Sequence, residues 1–280
     1  MLKEVKRLHG LAIRAQDGDI GTVDEILFDD EHWTVRYMVV DTGNWLSGRK
    51  VLITPTALGK LDWDQNVLNV DLTCDQVKNS PSVDTDLPVS RQWETDYYDH
   101  YGWPYYWAGM GLANGTGLSG SSWNPGAIFA VNAVGEAASQ DVENEKASGH
   151  DPHEHDDLHL RSSHEVTGYK IVARDGHLGH VEDFIVDDAT WIIGYLAVDT
   201  RDWWPGKKIL LPRELVEATD WAEGTVTVNI THDQVRSAPA WHPDDQITNA
   251  SEVDLSVYYA GLTQDTNEKS ESLTTAGSNG

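Results

Sequence analysis

The chain of 280 residues carries 46 acidic and 20 basic side chains, and its formal net charge is −26 at pH 7. Such an acidic surface repels phosphate backbones, which disfavours general DNA or RNA binding, and the single cysteine, Cys74, excludes a disulfide framework and a multi-cysteine metal site. Because no stretch approaches the roughly 18 apolar residues of a membrane helix, and the first residues lack the apolar core of a signal peptide, we predict a cytoplasmic protein without a membrane span.

The sequence is duplicated. Asp17–Gly21 recurs 158 positions later as Asp175–Gly179, and the alignment continues without a gap to Pro81 and Pro239. A fixed spacing of this kind indicates repeated domains. Between and after the repeats small and polar residues predominate, which is typical of flexible or disordered segments. We predict a first domain with a helical extension over residues 1–107, a Gly/Ala-rich and then acidic, His-rich linker over 108–161, a second domain over 162–262 and a disordered tail over 263–280.

The first predicted elements of each repeat are a hairpin and a long strand. Asp17-Gly18 favours a type I′ turn, in which the glycine takes a positive φ. The apolar run Ile20–Phe28 predicts the strand that follows, and the acidic pair Asp24-Glu25 inside it indicates a β-bulge or the rim of a curved sheet. The second repeat has the same features at Asp175-Gly176, Leu178–Val186 and Glu182-Asp183.

The next strand has alternating apolar residues. In the first repeat Trp33, Val35, Tyr37 and Val39 fall on one face, which predicts that this face is buried. A glycine-containing loop, an aliphatic strand over 51–53 and a last strand over 68–72 follow. The second repeat matches the alternating face with Trp191, Ile193, Tyr195 and Ala197.

Each repeat then changes to helix. Thr73–Gln76 fits a capping box, and Pro81 ends the short helix that it starts. Ser90 is the predicted N-cap of a second helix that carries Tyr97-Tyr98. The corresponding residues of the second repeat are Thr231–Gln234, Pro239, Ser251 and Tyr258-Tyr259.

Five or six short strands therefore precede the helices of each repeat. Closing so small a sheet into a barrel removes its exposed edges. We predict an all-β fold of two small β-barrels, each followed by short helices and joined by a flexible linker. The aromatic residues between Trp93 and Trp107 are candidates for packing the two barrels together.

The ordered set of motifs resembles a known family. It comprises the Asp-Gly hairpin Asp17–Val23, the acidic strand end Asp29-Asp30, the pair Val40-Asp41, the segment Gly48–Ile53 and a Thr-x-x-Gln-Val helix turn, and it occurs twice. Each repeat is similar to the PRC-barrel domain of the photosynthetic reaction-centre H subunit and of the bacterial ribosome maturation factor. The resemblance implies a protein-binding or scaffolding module that is not an enzyme, such as an accessory or assembly factor for a larger complex. This chain lacks the membrane helix of the former and the RNA-associated barrel of the latter, so neither specific role transfers.

The loop after the alternating strand is the main candidate for partner binding. Aromatic side chains beside basic ones are typical of interaction hot spots, although such a loop can equally fold over the barrel mouth or dock on the other unit. The candidate residues are Trp45, Arg49, Lys50, Trp203, Trp204, Lys207 and Lys208.

The weaker candidates concern metal binding and acid–base chemistry. The linker histidines His150, His153, His155 and His159 offer ligands for Zn²⁺, Ni²⁺ or Cu²⁺, but a solvated acidic linker with exposed histidines is the simpler interpretation. The aspartates shared by the repeats lie at turns and strand ends, where side-chain hydrogen bonds to the backbone favour them. We find no catalytic or phosphate-binding motif and expect no cofactor.

The sequence thus predicts a non-enzymatic protein whose partner is another protein with a basic surface, and it allows a homo-oligomer. Three alternatives stay open. The chain is a peripheral component at the cytoplasmic face of a photosynthetic or electron-transfer membrane complex, an acidic metal-binding protein, or an acidic stress-related protein.

Overall fold

The computed structural model describes residues 1–81, 91–103, 159–201, 204, 206–243, 245, 247–248 and 250–262. The predicted tail lies outside these residues, as do Ser90 and the linker as far as residue 158.

The chain folds as two compact units, each built mostly from one repeat. His9–Glu31 and Val35–Leu160 form the first-repeat unit. Met1–Leu8, His32–Thr34 and Arg161–Gly280 form the second-repeat unit. The first eight residues and a short turn of the first repeat therefore belong to the unit of the second repeat, whereas the sequence analysis predicts two contiguous domains.

Both units are built from short strands. The strands are β1 Leu2–Glu4, β2 Ala12–Arg14, β3 Asp19–Asp29, β4 Thr34–Asp41, β5 Lys50–Ile53, β6 Leu58–Asp62, β7 Val67–Val70, β8 Leu160–Ser162, β9 Lys170–Ala173, β10 Gly176–Asp187, β11 Ile193–Asp199, β12 Lys208–Pro212, β13 Val216–Asp220 and β14 Thr225–Val228. The helices are α1 Cys74–Lys78, α2 Arg91–Tyr101, α3 Ser163–Val166, α4 His232–Ser237 and α5 over residues 250–262, with single 3₁₀ turns at Val5–Arg7, Pro55–Ala57 and Arg213–Leu215.

The strands form two seven-stranded sheets of the same topology. One has the order β5-β4-β3-β2-β7-β6 with β8 beside β3, and the other has the order β12-β11-β10-β9-β14-β13 with β1 beside β10. The β2–β7 and β9–β14 pairs are parallel. These sheets confirm the prediction of a mostly β fold with few helices. Closure of each sheet into a barrel stays a prediction.

The seventh strand of each sheet is exchanged between the repeats. β1 pairs antiparallel with β10, with Leu2 opposite Asp187 and Glu4 opposite Ile185. Counted by the 158-residue spacing, β8 is the equivalent of β1, and it lies beside β3. Val5 and Leu8, which follow β1, are at most 1% exposed in the second-repeat unit. The first residues of the chain therefore complete the sheet of the second repeat.

The long strand of the second repeat contains the predicted bulge. Its pairing with β11 shifts register between Val181 and Asp183, so the extra residue is Glu182. A bulge lets a strand bend, and the apolar residues on either side of it, including Leu178 and Phe184, stay fully buried. The acidic pair therefore marks a change of sheet direction.

The Asp-Gly dipeptides do not form type I′ turns. Gly18 has no positive φ, and although Gly176 has φ +136°, neither preceding aspartate has the positive φ that this turn requires. The aspartates instead attach the hairpin to the short helix. Asp17 Oδ1 accepts a hydrogen bond from the Cys74 N–H at 2.7 Å, and the Asp175 carboxylate accepts one from the His232 N–H at 3.0 Å.

The tryptophans before the alternating strands are also placed differently from the prediction. Trp33 has φ 56° and Trp191 has φ 57°, so each has left-handed backbone and lies one or two residues before its strand rather than on the strand face. Trp191 is 7% exposed, and the Trp33 ring lies 6.4 Å from that of Phe184. Their predicted core or structural role is consistent with this packing.

The short helices α1 and α4 begin with the predicted capping boxes. Thr73 and Gln76, and equally Thr231 and Gln234, form complete capping boxes. The predicted N-cap Ser251 is wrong, since α5 begins at residue 250. Thr248 Oγ1 accepts a hydrogen bond from the Ser251 N–H at 3.2 Å, so the threonine supplies the side-chain contact at this end.

A buried carboxylate beside the bulge makes the second-repeat unit sensitive to pH. Asp183 is 3% exposed, and burial raises its pKa to about 7, although N–H donors from Phe184 and Lys6 oppose this. The folded state therefore binds a proton more tightly than the unfolded chain, and the resulting stabilisation is present below pH 4 and lost as the pH rises to 7.

We expect Asp183→Asn to remove this dependence. The stability of the wild type relative to the variant should fall by about 2–4 kcal/mol between pH 5 and pH 8. Denaturant unfolding at the two pH values, with the exposed turn variant Asp220→Asn as control, measures it. If the difference in unfolding free energy between wild type and Asp183→Asn is the same at both pH values, Asp183 is ionised in the folded protein at pH 5 as well as at pH 8.

Candidate functional site

The loops after β4 and β11 have the same internal structure. We call residues 42–50 and the described residues of 200–208 the tryptophan loops. The buried hydroxyl of Thr42 donates to the carbonyl of Arg49 at 2.5 Å, and that of Thr200 donates to the carbonyl of Lys207 at 2.7 Å. Each threonine thus ties the two ends of its loop together, which limits the conformations available to the residues between them.

One predicted basic residue of each loop holds the end of the short helix. The Arg49 guanidinium donates to the carbonyls of Lys78, Ser80 and Pro81 at 3.1, 2.6 and 3.1 Å. At the equivalent position the Lys207 ammonium donates to the carbonyls of Val235, Arg236 and Ala238. Burial lowers the pKa of Lys207. A cation at a helix C-terminus satisfies carbonyls that lack partners and stabilises the helix dipole.

The second basic residue of each loop contacts the long strand. Lys50 forms an ion pair with Asp24 at 3.0 Å, and Lys208 forms one with Glu182. Because these cations already have partners inside their own units, the aromatic side chains are the stronger candidates for intermolecular contact.

The tryptophans of the loops are accessible. Trp45 is 38% exposed and Trp204 is 39% exposed, while Trp203 lies outside the described residues. The Arg236 guanidinium lies 5.3 Å from the centre of the Trp204 ring, so the loop of the second repeat combines an aromatic face with a cation. Large aromatic side chains that are held by a closed loop lose little entropy on binding, which suits a protein contact.

The histidine candidates are only partly described. His150, His153 and His155 lie outside the described residues. His159 Nδ1 is 2.9 Å from Asp30 Oδ1, and this hydrogen bond raises the pKa of His159. Within the described ranges no group of three or more His, Cys, Asp or Glu side chains is arranged to hold a metal ion.

Aspartates shared by the repeats form local hydrogen bonds to the backbone. Asp41 accepts from the N–H of Gly43, and Asp199 accepts from that of Arg201. Asp29 and Asp187, the last residues of their long strands, accept in the same way from the N–H groups of Glu31 and Ala189. These contacts are those of turn-forming aspartates.

The aromatic helix of the first repeat packs on its own sheet. Tyr97 and Tyr98 are buried against Tyr37 and Leu52, and the Tyr97 hydroxyl donates to the Leu52 carbonyl at 2.9 Å. Trp93 stacks on the Tyr97 ring at 4.8 Å. The described part of this cluster therefore belongs to the core of the first-repeat unit.

Sequence reasoning missed a buried ionic group beneath this helix. Arg36 lies 3.8 Å from Asp29 and 3.8 Å from Glu94, and the Tyr37 hydroxyl donates to Glu94 at 2.7 Å. Burial and the Glu94 charge raise the pKa of Tyr37. The available signal was an arginine within the apolar run of β4, aligned with Gly194 in the second repeat.

Comparison with known proteins agrees with the duplication. The sequence model described as PRC-barrel domain matches residues 3–77 and again residues 159–235. A protein of Deinococcus radiodurans, described as uncharacterized, is 38% identical over 84 residues. That alignment covers 30% of this chain and spans 30% of the length of the relative. In the described residues no helix is both long and apolar enough to cross a membrane.

Proposed function

Because the chain belongs to the PRC-barrel domain family, we propose that it is a non-enzymatic protein-binding module that contacts its partner through the tryptophan loops. The observation that carries this proposal is the exposure of Trp45 and Trp204 on loops whose basic residues already have internal partners. An accessory or assembly role in a larger complex, in the cytoplasm or at the cytoplasmic face of a membrane, fits such a module.

The charge of the chain supports a partner with a basic surface. A net charge of −26 attracts cationic surfaces over distances of about 10 Å at moderate ionic strength, and salt screens this attraction. Burial of the two indole rings then supplies the part of the affinity that salt does not remove.

The test is affinity purification of the tagged protein from its native cells, with quantitative mass spectrometry of what co-purifies. We expect a stoichiometric partner whose recovery falls at least tenfold for the double variant Trp45→Ala, Trp204→Ala, since each truncated hot-spot residue costs about 1–2 kcal/mol or more. The matched control Trp45→Phe, Trp204→Phe keeps an aromatic ring at each position and should retain most of the partner.

Both variants should unfold at the wild-type temperature to within a few degrees, because the two rings are partly exposed. Full recovery of the partner by the double alanine variant would overturn the proposed contact, and the absence of any stoichiometric partner would overturn the binding function.

A further inference from the structure

Among the positions at which the equivalent strands β4 and β11 differ, one replaces a charged side chain by none. Arg36 of β4 aligns with Gly194 of β11. In the first-repeat unit the arginine is 7% exposed and lies between two carboxylates. Gly194 has no side chain to fill this position, and a Cβ added to it would meet no heavy atom within 4 Å.

A cavity of about 540 Å³ opens at Gly194 within the second-repeat unit. Asp187 and Tyr195, the counterparts of Asp29 and Tyr37, line it together with Ser256 and Tyr259 of α5. The cavity therefore lies beside Gly194, the position that corresponds to Arg36 in the first repeat.

The lining is acidic and contains an unsatisfied hydroxyl. Glu214 and Glu252 line the cavity, and burial, together with the charges of Glu252 and Glu214, raises the pKa of Tyr195. Tyr259 is 5% exposed, and its hydroxyl finds no hydrogen-bond partner among the described residues. A buried polar group without a partner is costly, so a ligand donor that reached this hydroxyl would offset that cost.

We propose that this cavity binds a guanidinium group carried by an arginine side chain of the partner protein. The planar cation offers several N–H donors, and the cavity presents carboxylate and hydroxyl oxygens as acceptors. Asp187 is already engaged by the N–H groups of Ala189 and Thr190 and by the Met1 amino group, and Glu214 contacts Arg213. Glu252 is therefore the carboxylate most available to the ligand.

The surface beside the cavity suits a protein rather than a free small cation. Val253 and Val257 are 59% and 68% exposed, and they lie one turn apart on α5, the helix that supplies Glu252 and Ser256. An arginine in the cavity would bring its neighbouring residues against this apolar face. The inference rests on the proposed function, because it names a residue of the same partner.

The test compares two substitutions at one glycine. N-acetylarginine methylamide is titrated into the whole protein at low salt and followed by NMR, with the uncharged isostere N-acetylcitrulline methylamide as control. We expect saturable binding of the arginine compound only, retained in Gly194→Ala and reduced at least tenfold in Gly194→Arg, whose own side chain fills the cavity. Glu252→Gln should weaken binding several-fold.

Affinity purification of the partner with the Gly194 variants tests this inference separately from the proposed function. We expect Gly194→Arg to reduce recovery of the partner at least fivefold and Gly194→Ala to leave it unchanged. Equal binding of the citrulline compound, or arginine binding that survives in Gly194→Arg, would overturn the guanidinium site. If Gly194→Arg leaves partner recovery unchanged, the partner does not place an arginine in this cavity. That result would not affect the proposed role of the tryptophan loops.

Discussion

Alanine in place of Gly179 should unfold the second-repeat unit, and alanine in place of Gly21 should do the same to the first-repeat unit. A Cβ at Gly179 would lie 2.1 Å from the Asp199 carbonyl oxygen, and one at Gly21 would lie 2.0 Å from that of Asp41. These oxygens belong to buried strands that cannot retreat without breaking sheet hydrogen bonds, so we expect a loss of about 4 kcal/mol or more.

Denaturant unfolding of each variant measures this loss. Gly194→Ala is the matched control, since its added methyl group has open space around it. Unfolding midpoints of Gly21→Ala and Gly179→Ala within experimental error of the control would show that the close approach of hairpin and strand is not required.

The second large effect should distinguish two leucines only three residues apart. Leu8 is 0% exposed in the second-repeat unit, and Leu11 is 3% exposed in the first-repeat unit. Truncating a buried leucine costs about 2–5 kcal/mol. Leu8→Ala should therefore speed amide hydrogen exchange in Gly176–Asp187, and Leu11→Ala should speed it in Asp19–Asp29.

Hydrogen-exchange mass spectrometry of the two variants reads out both strands in one experiment, and each variant is the control for the other. Faster exchange in Asp19–Asp29 for Leu8→Ala, with Gly176–Asp187 unaffected, would contradict the exchange of the first strands between the repeats.

Local chemistry was the part of the fold that the sequence predicted best. The capping boxes at Thr73 and Thr231 depend only on residues three apart, and the bulge at Glu182 on the alternation within one strand. The type I′ turns were wrong because the Asp17 and Asp175 carboxylates accept hydrogen bonds from a helix that is 57 residues away in sequence. Such a distant contact overrides the preference of an Asp-Gly pair.

The exchanged strand could not be predicted for a related reason. Glu4 and Val5 are buried in the structure, but the three residues of β1 do not identify the strand that they pair with, and both long strands have similar sequences. The candidate site was likewise predicted only in part. The sequence indicated the tryptophan loops, whereas the use of Arg49 and Lys207 as helix caps depends on carbonyls about 30 residues further along the chain.

The central claim is that the partner covers the tryptophan loops. Hydroxyl-radical footprinting of the free protein and of the purified complex tests it most directly, because indole rings oxidise readily when exposed. We predict that oxidation of Trp45 and Trp204 falls several-fold in the complex while Trp191, which is 7% exposed, changes little. Unchanged oxidation of Trp45 and Trp204 in a complex that protects other residues would contradict the claim.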